Sequence, residues 1–215
     1  MFGSKLKKEY RQIRKMVTEV NAKLTKLAEP QQIREAGASL GLVDRDGTLN
    51  LVKQSDTEAM MDLLIFQQAA DVRPLPAVFL DSVGDDFLPA LERQLLENYL
   101  KGTVFSLFAV TDWKKKDFLT LEPLLDGTSF ELFDAVLGRI ADESWMLAGR
   151  FVPFGDRWIH TGVIYAFDLA ARERLLSLLD EVDEATGASR RASVSRFPCY
   201  FYQWYRDFGT PLGQR

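Results

Sequence analysis

The spacing of apolar residues changes once along this chain, at Gly102, and that change limits the fold more than any single motif. Before it, apolar residues recur every three or four positions, the period of a helix with one buried face. After it, they come in runs of strand length: TVFSLFAV, DFLTLEPLL, TSFELFDAV, WMLAGRFVPF and RWIHTGVIYAF. The segments between them, KKKD, DGT, ADES and GD, have turn chemistry. Helices followed by neighbouring strands predict an α+β fold rather than alternating βα units. The expectation is a helical N-terminal half over residues 1–100, with a short hairpin near 42–52. A small antiparallel, barrel-like β module with a terminal helix and an aromatic segment then fills 101–215.

Within the first half, Leu6, Tyr10, Ile13, Val17, Val20, Leu24 and Leu27 repeat at alternating steps of four and three. That is a heptad-like stripe of about three heptads, so residues 5–27 are a candidate for self-association as well as for packing on their own domain. A second helix begins near Pro30, which suits a first helical turn, and stops at Gly41, which suits the position just past an end. A third begins at Ser55-Asp56-Thr57-Glu58, read as a capping box with Ser55 as the cap, and stops before Pro74. A fourth runs from about Asp86 to Leu100, with Leu88, Leu91, Leu95 and Tyr99 inward. The last, about 168–184, carries Leu175, Leu176, Leu179 and Val182 on one side and ends at Gly187.

Composition excludes several classes. With 47% hydrophobic and 27% charged residues, the chain has a core to build. No apolar run approaches the roughly 18 residues of a membrane span. The basic start, MFGSKLKKEYRQIRK, lacks the apolar stretch of a secretory signal, so a cytoplasmic protein is expected. One cysteine, Cys199, and one histidine, His160, leave little for a metal site, and no metal or cofactor is expected. Residues 1–27 hold eight Lys/Arg against Glu9 and Glu19, a net +6, which leaves −10 for the rest of a chain of net −4. A basic arm on an acidic body admits a nucleic-acid or membrane contact, but the acidic body disfavours phosphate-rich partners.

Two short motifs suggest catalysis. VDRDGTL, residues 43–49, resembles the nucleophile motif of haloacid-dehalogenase-type phosphatases. That resemblance implies a Mg²⁺-dependent phosphatase in which Asp44 attacks, Asp46 handles the proton and Thr48 steadies the loop. Its remaining parts would be Ser82 and the acidic pair Asp85–Asp86, which lie too close together for the strand–helix units the resemblance requires. Asp-Gly is also a favoured turn dipeptide. GASLG, residues 37–41, matches the G-x-S-x-G elbow with Ser39 as nucleophile and His160 as its base, but the elbow must lead from strand to helix, whereas here it closes a helix. No catalytic residue is therefore assigned, with Asp44 and Asp46 as the alternative.

The tail is rich in aromatics. Phe197, Tyr200, Phe201, Tyr202, Trp204, Tyr205 and Phe208 are seven aromatics within twelve residues, with Arg190, Arg191 and Arg196 before them. Such a segment closes a core, forms the centre of a protein interface or stacks single-stranded bases. Arg196, Tyr200, Tyr202, Trp204 and Tyr205 are the candidate binding residues.

Residues 30–165 also resemble a family of uncharacterised bacterial proteins. The β part is similar to a small module found beside SecA C-terminal-type zinc modules. The marks are Pro123-Leu124-Leu125-Asp126-Gly127, with Pro123 where that module carries Asp, and Gly149-Arg150-Phe151-Val152-Pro153. The zinc module itself is absent, and the resemblance implies a fold rather than an activity. The function expected is a non-catalytic binding or adaptor protein working through protein–protein contacts. The alternatives are the phosphatase and a nucleic-acid-associated factor.

Overall fold

A computed structural model describes residues 2–66, 72–84, 87–112, 117–124, 128–187 and 198–211. The fold is α+β. In chain order the elements are α1 (Phe2–Thr25), α2 (Pro30–Ser39), α3 (Gln54–Phe66), α4 (Leu75–Val83), α5 (Ala90–Lys101), β1 (Val104–Asp112), β2 (Phe118–Pro123), β3 (Phe130–Phe133), α6 (Leu137–Ile140), β4 (Met146–Phe154), β5 (Arg157–Phe167), α7 (Leu169–Thr186) and α8 (Pro198–Phe208). They form two compact units. One holds the chain up to Tyr10 with residues 104–160 and 164–215, and the other holds residues 11–103 with 161–163.

In the first unit the strands pair in the order β1-β2-β3-β5-β4 and the pairing closes into a ring. Four seams are antiparallel, as expected. The fifth is not: β3 and β5 run parallel and meet at Leu132 and Trp158. Geometry forces this correction, because strand directions cannot alternate all the way round a closed ring of five. Inside lie Phe108, Leu119, Leu121, Leu132, Leu147 and Phe151, each at most 1% exposed. Phe108 meets Phe151 edge-on at 5.0 Å, and Phe130 stacks on Trp158 at 4.5 Å.

Helix α7 begins at Asp168, whose carboxylate accepts the N–H groups of Ala170 and Ala171, and it ends where Gly187 turns left-handed at φ 61°. The aromatic tail is helical and packs on the strands of this unit. Phe201 meets Phe105, Tyr205 meets Tyr165 and Phe208 meets Phe167, with centroids 5.9, 5.5 and 5.8 Å apart. Beyond α8, the Thr210 N–H donates to the Ala166 carbonyl.

In the helical unit, α2 begins at Pro30, with the Glu29 N–H donating to Gln32 Oε1 at 2.7 Å. It ends in a paired cap: Leu42 N–H reaches the Gly37 carbonyl and Gly41 N–H the Ala38 carbonyl, with Gly41 left-handed at φ 67°. Helix α3 starts at Gln54, and its start differs from the expected box. The Asp56 carboxylate, rather than Ser55, accepts the backbone N–H groups of Val52 and Lys53 at 3.0 and 2.9 Å. Glu58 is held instead by the amide of Gln54 at 3.2 Å.

Residues 75–83 also depart from expectation. The sequence assigns them no element, and they form helix α4, with Pro74 before it and Pro76 in its first turn. Both prolines fit the start of a helix, where their missing N–H groups would have no partner.

Candidate functional site

The motif residues Asp44 and Asp46 lie on an exposed turn. Leu40 and Leu42 are buried, and the chain then reverses: Asp44 N–H donates to the Thr48 carbonyl, Gly47 N–H to the Asp44 carbonyl, and Val43 bridges Leu49 antiparallel. Gly47 sits at φ 85°, where a side chain would be strained. Asp46 accepts the Thr48 N–H at 3.1 Å, and that bond holds its carboxyl below the usual range. This is the hydrogen bonding of an Asp-Gly turn, and no parallel strand enters Asp44.

The turn packs on α2 at Gly37, where an added Cβ would lie 2.7 Å from Leu49 Cδ1 and 3.0 Å from Val43 Cγ2. The glycine of GASLG therefore serves close packing. Ser39 Oγ donates to the Glu35 carbonyl within its helix. Ser82 likewise donates to the Phe79 carbonyl on α4. Asp85, Asp86, Arg190, Arg191 and Arg196 lie outside the described residues.

The aromatic candidates divide. Tyr202 is fully buried, while Tyr200, Trp204 and Tyr205 are half-buried. Tyr200 and Trp204 stack one helical turn apart at 5.8 Å. Burial also raises the Cys199 thiol above its ordinary range.

His160 belongs to a buried network in the strand unit. Its Nε2 lies 2.9 Å from Asp134 Oδ2, which also accepts the Tyr10 hydroxyl at 3.0 Å. Asp134 Oδ1 accepts the N–H groups of Val136 and Leu137, each at 2.8 Å, and so starts α6. Asp134 is 2% exposed, and these donors match the roughly four lone-pair sites of a carboxylate. The arrangement ties α1, β5 and the β3–α6 turn together.

In the helical unit, one face of α1 (Arg14, Val17, Thr18, Asn21) and one face of α3 (Gln54, Glu58, Met61, Asp62, Phe66) form a cleft with residues 161–163. The spacing is helical, since positions three, four and seven apart share a face. Asn21 is fixed from both ends: its Nδ2 donates to the Thr161 carbonyl at 2.6 Å and its Oδ1 accepts the Tyr99 hydroxyl at 3.0 Å. Burial raises the Tyr99 hydroxyl far above its ordinary range. Burial also raises the Glu58 carboxyl, against the opposing pull of the Gln54 amide and the Arg14 charge. Gly162 lines the wall with φ 148°, and a Cβ there would touch Asn21 Nδ2 at 3.5 Å. Among the described residues no group of His, Cys, Asp and Glu is placed to hold a metal ion.

A family model matches residues 4–215. The chain belongs to DUF7986, a family of unknown function. No curated protein and no solved structure matches the chain. For this member of DUF7986, the geometry of its own side chains is therefore the guide to function.

Sequence reasoning missed this cleft. Its polar residues belong to no motif, and Asn21 sits beside a stripe read for its apolar members. The usable signal was Gln54, Glu58 and Asp62 at steps of four on a helix already recognised.

Proposed function

We propose that the chain is a non-catalytic binding or adaptor protein of the cytoplasm that acts through protein–protein contacts, the first of them with a second copy of itself. The observation that carries this is the apolar surface of α4 and the start of α5. In LPAVFLDSV only Asp81 is charged, yet only Leu75 and Pro76 are buried. Ala77, Val78, Phe79, Leu80 and Val83 are half-buried, and beyond them Phe87 is 83% and Leu91 57% exposed. A helix apolar on all sides is ordinarily covered. Among the described residues no helix is long and apolar enough to cross a membrane, which favours a protein as the cover.

The charges favour a second copy. Arg73 and Asp81 pair across this short helix, one charge at each end. Packing α4 antiparallel on itself about a two-fold axis at Ala77 would set Arg73 beside the partner's Asp81, with the small Ala77 at the closest approach. This site replaces residues 5–27 as the proposed contact, because Val17, Val20 and Leu24 of the stripe have no exposed area. We further propose, on β4 residues Gly149–Pro153, that the β part is like the module found beside SecA C-terminal-type zinc modules.

Light scattering should give about twice the 24.5 kDa chain mass. Phe87→Glu with Leu91→Glu should return the chain to monomer. Arg73→Glu alone should weaken the dimer, and adding Asp81→Arg should restore it. A monomer at the highest attainable concentration would sink the self-association. Mg²⁺-dependent phosphoester hydrolysis abolished by Asp44→Asn would replace the whole reading with the phosphatase.

A further inference from the structure

We infer that the cleft formed by α1, α3 and residues 161–163 is a binding site for a small organic cation, an alkylammonium or guanidinium group. The inference stands apart from the dimer and does not rest on it. Charge comes first. The ionisable side chains lining the cleft are Arg14 from α1 and Glu58 and Asp62 from α3, a net charge of −1. An anion would face two carboxylates against one guanidinium, whereas a cation faces the favourable balance.

Shape comes second. The cleft encloses about 90 Å³. That is room for a charged head with a short methylene stem. A drug-sized ligand needs several times more. Val17, Met61 and Val163 supply apolar wall for such a stem. Phe66 adds to that apolar wall.

Preorganisation comes third. The Asn21 amide cannot turn without breaking its bonds to Tyr99 and Thr161. The Gly162 backbone, in a conformation that side chains rarely adopt, keeps the wall there free of a Cβ. Glu58 is the group most ready for a partner. It is half-buried, and its carboxyl is raised by desolvation, a cost that a nearby cation would relieve.

The chemistry has two sources, a free small amine or the Lys or Arg side chain of another protein, and the test separates them. The side-chain amide signals of Asn21 and Gln54 are followed by ¹H–¹⁵N NMR in the full chain. n-Butylammonium and n-propylguanidinium should shift them saturably with about millimolar affinity. Glu58→Gln should weaken both by at least about tenfold. Arg14→Gln should strengthen both, which keeps the idea testable should the first variant fold poorly. If N-acetyl-lysine methylamide binds as well as n-butylammonium, the cleft takes a protein side chain. Binding of the bare amine alone identifies a free small molecule. The inference is overturned if n-pentanol shifts the same amides as strongly, if acetate does so in place of the cations, or if nothing shifts them.

Discussion

Asp46 and Asp134 make the same local bond, and what differs is everything beyond it. Each carboxylate accepts the backbone N–H of the residue two positions on, Thr48 in one case and Val136 in the other. Asp46 reaches nothing beyond its own exposed turn, where Thr48 is its partner. Asp134, 2% exposed, uses its second oxygen to hold Tyr10 and His160, which lie far away in sequence. An aspartate in a turn is a local device until burial makes it a tertiary one. Removing it should then cost in proportion to the donors it strands.

The largest effect expected is therefore at Asp134. Asp134→Ala leaves the His160 imidazole, the Tyr10 hydroxyl and two backbone N–H groups without their acceptor inside a packed core. Leaving a buried donor without its acceptor costs about 1–3 kcal/mol, and several are stranded here. Urea unfolding measures it. A loss no larger than that of an exposed turn substitution would break the comparison at its root.

Asp56 sits between the extremes. It is as buried as Asp134, and the bonds it makes to the N–H groups of Val52 and Lys53 are local, at the start of α3. Asp56→Ala should cost about 1–2 kcal/mol, the usual value of a helix cap. Ser55→Ala should cost clearly less, because the Ser55 hydroxyl does not cap the helix. Equal losses at the two positions would restore Ser55 as the cap.

These residues also show what could be read from the sequence. The α+β division was legible because period is a property of long segments: α1, α5 and α7 each repeat an apolar face over three turns or more. The caps at Pro30, Gly41 and Gly187 were legible because proline and glycine act through their own backbone. Helix α4 was not, since an apolar nine-residue run has no period to separate helix from strand. The parallel seam was hidden because it follows from ring closure rather than from any residue. The cleft and the Asp134 network were hidden for another reason. Asn21, Glu58, Asp134 and His160 are ordinary polar residues until the chain folds, and their partners lie up to 140 positions away. By contrast VDRDGTL was highly legible, and what its letters spelled was a turn.

Glu58 extends the comparison to a carboxylate that burial disfavours. Its pKa is raised, so the folded state holds the proton more tightly than the unfolded chain does. The stability it contributes is complete below the ordinary value of 4.5 and is lost as pH rises through the raised value. Glu58→Gln, which keeps the contact with Gln54, should therefore raise the melting temperature slightly at pH 7. The gain should vanish at pH below 4.5. Arg14→Gln should enlarge the gap by removing the charge that favours ionised Glu58. A Gln variant less stable than the parent at pH 7 would mean that Glu58 already has a cationic partner in the resting protein.

Asp46 should give the smallest effect, with the opposite sign. Its carboxyl lies below the ordinary 3.8 because the Thr48 N–H stabilises the charged form. Its contribution is present above that value and is lost as pH falls through the lowered one. Asp46→Asn should thus be marginally less stable at neutral pH, and the difference should close in acid. The group is fully solvated, so salt and water screen what little it contributes. Melting curves in low and high salt should nearly coincide for parent and variant. A large loss at Asp46 would require a partner beyond the Thr48 turn, and the distinction between the exposed aspartate and the buried one would then have to be redrawn.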